Sequence, residues 1–135
     1  MSKPFSGICV DASCLGNPGP MQYKIVRLGS NAVIFESDKS HGTNNIGEFL
    51  AAVHALAMCK KNNWPDKVYT DSVTAMAWVR KCKCKTKLDA IASDLSEAIT
   101  LSEKWLSENT GFTADRIMKW DTKSWGEIPA DFGRK

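Results

Sequence analysis

No stretch of this chain is apolar for long enough to cross a membrane. The opening residues, MSKPFSGICVDAS, lack the apolar core and the small-residue cleavage site of a signal peptide. These absences argue against membrane-spanning and exported classes and set the expectation of a cytoplasmic protein. A balanced cysteine set is missing as well. The five cysteines (Cys9, Cys14, Cys59, Cys82 and Cys84) are odd in number and scattered, so they read as free thiols in a reducing compartment. Cys82-x-Cys84 has no second pair and no histidine nearby, which argues against a zinc site. Strong charge of one sign is also lacking, since the formal net charge is only +3. No repeat and no long polar linker divides the chain. Its 135 residues, 43% of them hydrophobic, suit one folded domain over 1–135 with one sizeable core.

What is present begins with Val10–Pro20, VDASCLGNPGP, a strand that runs into a glycine- and proline-rich turn. Ile8 and Val10 alternate with Phe5, Cys9 and Asp11 at strand spacing. Two more strands are predicted over 22–28 and 32–36, with Gly29-Ser30-Asn31 as the hairpin connection between them. The segment 38–44 reads as a loop. Ile46, Phe49, Leu50, Val53, Leu56 and Ala57 then recur at helical spacing as far as about Lys61. A short strand KVYT ends on Asp71, and a second helix is predicted from about Ser72 to Lys81. A third helix is predicted from about Leu88 to Glu108, with Gly111 as its breaker. Residues 114–120 read as a fifth strand, and the tail has room for a helical turn or two. The order βββ-α-β-α-α-β-(α) predicts a mixed sheet flanked by helices.

Four acids fall at element ends or in apolar surroundings: Asp11, Glu48, Asp71 and Asp131. Asp is disfavoured inside a strand, and an unpartnered buried carboxylate is costly, so Asp11 is the hardest to explain as ordinary structure. The others have local explanations. Asn45-x-x-Glu48 fits a capping box, Asp71 fits an N-cap of the second helix, and Asp131 fits a cap of a terminal turn. Brought together by a mixed sheet, such carboxylates repel one another. A hard divalent cation removes that conflict, and oxygen-only ligands favour magnesium or manganese over zinc. A pair of such ions suits phosphodiester chemistry. The run 80–87, RKCKCKTK, carries five basic groups and no acid, a pattern that fits a polyanion footprint or a solvated loop.

Three segments, DASCLGNPGP, GTNNIGEFLAAVHAL and YTDS, resemble the first three signature blocks of ribonuclease H type 1, in that family's order and spacing. The resemblance covers nearly the whole chain. It implies an α/β, ribonuclease H-like fold: a five-stranded mixed sheet that starts with an antiparallel meander and is flanked by helices. It implies an endoribonuclease that hydrolyses the RNA strand of RNA–DNA hybrids with two metal ions, Mg2+ or Mn2+, leaving 5′-phosphate and 3′-hydroxyl ends. The catalytic, metal-holding acids map onto Asp11, Glu48, Asp71 and Asp131, with Glu127 a rival for the last place. Substrate contacts map onto Ser13, Cys14, Gly16 and Asn17 in the turn and onto Thr43, Asn44 and Asn45 before the first helix. Close backbone approach at Gly16 suits a minor groove, where 2′-hydroxyls mark RNA. Asn side chains both donate to and accept from such groups.

The basic run corresponds to a protrusion that grips the DNA strand in many bacterial members, here reduced to Lys83, Lys85 and Lys87. Trp78, at an apolar helix position, reads as core, with stacking on a sugar or base of the substrate as the alternative. The closing KWDTKSWGEIPADFGRK resembles the type found in Bacteroidetes-like bacteria. It lacks the loop histidine that many members carry before the last acid, and most of the closing helix. The histidine's role is expected to be missing, with Lys123 and Glu127 the alternatives that would replace it. The expected partner is an RNA–DNA hybrid, with no membrane and no protein partner implied, and the chain is expected to be a monomer. Two other classes compete. One is a hybrid-binding module of the same fold with a weak or inactive site, and the other is a transposase- or resolvase-like nuclease that cuts DNA.

Overall fold

The computed structural model describes residues 2–86 and 93–132, with the side chain of residue 93 excepted. Among the described residues six strands and five helices follow one another as β1 (Ile8–Cys14), β2 (Gly19–Arg27), β3 (Ala32–Glu36), β4 (Ser40–Gly42), α1 (Asn44–Lys61), β5 (Val68–Thr70), α2 (Val73–Lys81), α3 (Ser93–Glu108), α4 (Thr110–Thr113), β6 (Ile117–Lys119) and α5 (Thr122–Trp125). The sheet runs β3-β2-β1-β5-β6. β1, β2 and β3 form the expected antiparallel meander, and β5 and β6 are parallel to β1 and β5 respectively. The five-stranded mixed sheet is therefore present along its main path.

Several local expectations are corrected. Residues 40–42, read as loop, form β4 and pair with β2 through Gly19↔Gly42, Pro20↔His41 and Met21↔Ser40. β2 starts at Gly19, inside the stretch assigned to the turn. Gly111 is not a breaker but lies within α4, which takes residues otherwise left as connection. The strand predicted over 114–120 is only Ile117–Lys119. The start of the third helix as read, at Leu88, lies outside the described residues.

One face of the sheet carries the main core. Ile8 and Val10 of β1 pack with Ile46, Phe49, Val53 and Leu56 of α1, with Trp78 and Val79 of α2, and with Leu95, Ile99 and Leu106 of α3. Trp78 is 9% exposed and meets Phe49 edge to face, with ring centroids 6.1 Å apart, in keeping with a core role. The opposite face carries a smaller cluster. Cys9, Val26 and Leu28 are covered by Trp120, Ile128 and Ala130, with Tyr69 and Trp125 alongside. Trp120 is fully buried, and its Nε1–H donates to the Gly126 carbonyl at 2.9 Å. That bond satisfies the indole and folds the tail back on the sheet.

A candidate active site of three carboxylates

β1 is buried from Ile8 to Ser13, and Asp11 in its middle is 0% exposed. β5 pairs with β1 only at Ile8↔Val68 and Cys9↔Tyr69. Extending that parallel register places residue 71 beside residue 11, just past the carboxyl end of β5. Crevices at such strand ends are where open α/β sheets place ligands. Glu48 comes from α1, where it is 2% exposed. Its neighbour Gly47 explains how the helix sits so close. A Cβ there would lie 2.8 Å from the Ala12 Cβ and 2.8 Å from the Met21 Sδ, so only glycine lets α1 seat at this distance.

Neither acid is spent on capping its helix. The N-cap of α1 is Thr43, whose Oγ1 accepts from the Ile46 N–H at 3.2 Å, so the Asn45–Glu48 capping box does not form. The N-cap of α2 is Ser72, accepting from Ala75, and not Asp71. Asp11, Glu48 and Asp71 each present a carboxylate oxygen, and these oxygens lie within 4.8 Å of one another. Two of the three residues are buried and Asp71 is half-buried. Three negative charges at this spacing oppose one another strongly where solvent screening is weak. An all-oxygen set of this kind fits a hard divalent cation.

Beside the acids, the turn after β1 is tightly built. Leu15 N–H donates to the Pro20 carbonyl at 3.1 Å, and a Cβ on Gly19 would stand 1.9 Å from the Leu15 carbonyl oxygen. The Cys14 thiol donates to the Gly42 carbonyl at 3.4 Å, and Asn17 Oδ1 accepts from the Asn44 N–H at 2.8 Å. The two segments expected to touch substrate, Ser13–Asn17 and Thr43–Asn45, are thus tied edge to edge, with β4 as the bridge. Gly16, Asn17 and Asn45 are exposed, Cys14, Thr43 and Asn44 half-buried, and Ser13 buried. The short β4 has no periodicity to announce it in sequence.

The tail lies along the same sheet face as Asp11. Ala130 is buried against Cys9, and the Asp131 N–H donates to the Ile128 carbonyl at 2.9 Å. Asp131 is half-buried, whereas Glu127 and Lys123 are exposed. Asp131 is not among the three acids that meet within 4.8 Å. His41 is exposed on β4, and His54 on α1 is hydrogen-bonded through Nδ1 to the Tyr23 hydroxyl at 2.9 Å. In the basic run, Lys83 pairs with Glu103 at 3.7 Å and Lys85 is exposed, while Lys87 lies outside the described residues. Burial pushes the Cys9 thiol up to about 12 and the Cys84 thiol up to about 11, so neither is a nucleophile at neutral pH. Sequence reasoning missed Lys24, which stands directly across from Asp11 in the β1–β2 pair.

The family model described as RNase H matches residues 6–121. A ribonuclease H from Neorickettsia sennetsu is 39% identical over 120 residues, which are 84% of this chain and 76% of that protein. One from a Bradyrhizobium species is 39% identical over 70 residues, 51% of this chain and 45% of its own length. Among solved structures, the RNase H1 of the halophilic archaeon Halobacterium salinarum shares the fold with a TM-score of 0.54 at 23% identity, over 88% of this chain and 87% of that one. A foamy viral protease-reverse transcriptase in complex with RNA/DNA hybrid shares it with a TM-score of 0.51 at 15% identity, over 90% of this chain and 18% of that one.

Proposed function

Because the chain belongs to the ribonuclease H family, its match extending over residues 6–121, we propose that it is an endonuclease that hydrolyses the RNA strand of RNA–DNA hybrids. The observation that carries this reading is the meeting of Asp11, Glu48 and Asp71, from β1, α1 and the end of β5, with carboxylate oxygens within 4.8 Å. These three hold the divalent cations the family uses, with Asp131 supplied by the tail as the fourth acid. Mg2+ is the expected ion and Mn2+ an acceptable one, two per site when substrate is bound. When bound, the ions supply positive charge that stabilises the scissile phosphate and its departing oxygen and acidify water.

The chain's own residues do the rest. The carboxylates fix the charge pattern in a rigid strand–helix–strand frame, so little reorganisation is needed during reaction. The turn Ser13–Asn17 and the segment Thr43–Asn45 present donors and acceptors to the minor groove, where the 2′-hydroxyl separates RNA from DNA. Thr43 uses its oxygen as the helix cap, which leaves its hydroxyl hydrogen to donate toward a phosphate. Lys83, Lys85 and Lys87 add grip on the backbone of the hybrid. Products carry 5′-phosphate and 3′-hydroxyl ends. The domain spans 1–135, acts as a monomer and works in the cytoplasm. Among the described residues no helix is long and apolar enough to cross a membrane.

A labelled hybrid incubated with Mg2+ or Mn2+ tests the proposal. The wild-type chain yields cut RNA, and Asp11→Asn binds hybrid with near-normal affinity but does not cut it. Cleavage by Asp11→Asn at the wild-type rate would show that the acids are misassigned. Binding without cleavage by the wild type would point instead to a hybrid-binding module.

A further inference from the structure

Among the described residues the last helix, α5, ends at Trp125, and the segment beyond it carries Asp131. Its anchoring is legible along one face of the sheet. The β1–β2 register pairs Cys9 with Val26 and Asp11 with Lys24, so these four side chains share a face. Ile128 and Ala130 cover the Cys9–Val26 pair. One pair further along the strands comes Asp11–Lys24, and one step further along the tail come Asp131 and Phe132. There the Lys24 Nζ stands 4.8 Å from the centroid of the Phe132 ring. Lys24 and Phe132 are both half-buried.

We propose that Lys24 and Phe132 form a latch, a cation–π contact that holds the tail against the sheet and thereby positions Asp131 beside the three-acid site. Lys24 is in this sense a positioning residue. The inference rests on the reading of Asp131 as the fourth acid. A lysine suits the task in a second way. Directly across from Asp11, a cross-strand pair of opposite charge is favourable. The stem is therefore drawn to the Asp11 side of the sheet while its head lies on the ring. Glu36, across from Lys24 on β3, holds the same row of charges on its outer side.

The test uses the full chain without metal or substrate, read by amide hydrogen exchange at the Asp131 N–H, which is bonded to the Ile128 carbonyl. Lys24→Met keeps the stem and removes the charge, and Phe132→Leu keeps apolar bulk and removes the ring. Each is expected to speed that exchange about threefold, the scale of one partly exposed cation–π contact. The double variant is expected to go no further than either single one, and Lys24→Arg restores the wild-type value. In hybrid cleavage, both single variants lower kcat with KM little changed. Wild-type exchange in Phe132→Leu would overturn the latch, whether or not Lys24→Met changes it, because Lys24 would then act by charge alone or not at all. Additive effects in the double variant would overturn it equally. Asp131→Asn separates the latch from the functional reading. It is expected to lose cleavage with the protection of the residue 131 N–H unchanged once its exchange is corrected for the intrinsic rate of the new side chain. Full activity in Asp131→Asn together with a coupled Lys24–Phe132 pair would leave the latch standing and remove Asp131 from the site.

Discussion

Asn17 reaches from the turn after β1 to Asn44 at the start of α1, its Oδ1 accepting the Asn44 N–H at 2.8 Å. This bond joins two loops that are far apart in sequence and fixes the distance between the two sets of groups proposed to touch the hybrid. The bond is solvent-exposed, so its net contribution is about 0.5–1.5 kcal/mol. Asn17→Ala is expected to raise KM for hybrid about 2–10-fold, the same range expressed as affinity, with kcat nearly unchanged and the melting temperature lower by about 2–5 °C. Steady-state kinetics on a short hybrid checks this. A fall in kcat with KM unchanged would mean that the tie positions the acids and not the substrate.

Gly47 yields a second prediction. Alanine is the better helix former by about 1 kcal/mol, yet its Cβ would stand 2.8 Å from the Ala12 Cβ. That neighbour is on a buried strand and has nowhere to go. Overpacking typically costs about 1–3 kcal/mol, so Gly47→Ala is expected to lower stability overall and to lower kcat by displacing Glu48. The Met21 Sδ, also 2.8 Å from the added atom, belongs to a flexible side chain. Met21 is itself buried in the core, so adding Met21→Ala costs about a further 2–5 kcal/mol and is expected not to rescue the loss. Urea unfolding and cleavage rates on the two variants measure both effects.

How much of this was legible in sequence depends on the range of the signal. Helical spacing from Ile46 to Leu56 and strand alternation around Val10 are local, and α1 and β1 lie where those patterns put them. The acids were legible because Asp is out of place in a strand and because the block around Asp11 is long and specific, whereas the four-residue YTDS around Asp71 is weak alone and counts only through its order and spacing with the other two. Capping was not. Asn45 and Thr43 are both good caps by residue type, and the choice falls to backbone geometry, with Thr43 extended at φ −125°. β4 was missed because three residues carry no period. Lys24 drew no notice because its partners are Asp11 across the sheet and Phe132 at the far end of the chain, and no sequence window contains both.

His54 supplies a pH prediction. It lies against the Phe35 ring, 4.3 Å between centroids, and bonds to the Tyr23 hydroxyl. Burial holds its pKa below the ordinary 6.5. In the unfolded chain it titrates near 6.5. As pH falls below that value the unfolded state takes up the proton first, so this histidine costs stability between 6.5 and its lower folded pKa. His54→Gln is expected to flatten the fall in melting temperature over that window and to leave the values above pH 7 nearly parallel to wild type. An unchanged slope would mean that the acidic groups alone govern acid unfolding.

The crowding of Asp11, Glu48 and Asp71 sets the last expectation. Without metal, three carboxylates with oxygens inside 4.8 Å work against the folded state. A divalent cation that binds only the folded chain stabilises it by about 2.7 kcal/mol at a hundredfold excess over its Kd. For a chain of this size that is roughly 8–10 °C in melting temperature. Magnesium is thus expected to raise the melting temperature in a concentration-dependent way and a chelator to reverse it, with circular dichroism showing the fold intact throughout. Asp11→Asn removes one of the opposing charges. It is expected to melt higher than wild type in chelator and to lose most of the magnesium-dependent gain, so the two curves cross as magnesium is added. If Asp11→Asn instead melts lower in chelator, the carboxylates are satisfied by their own surroundings and the cluster is not held in readiness for a cation.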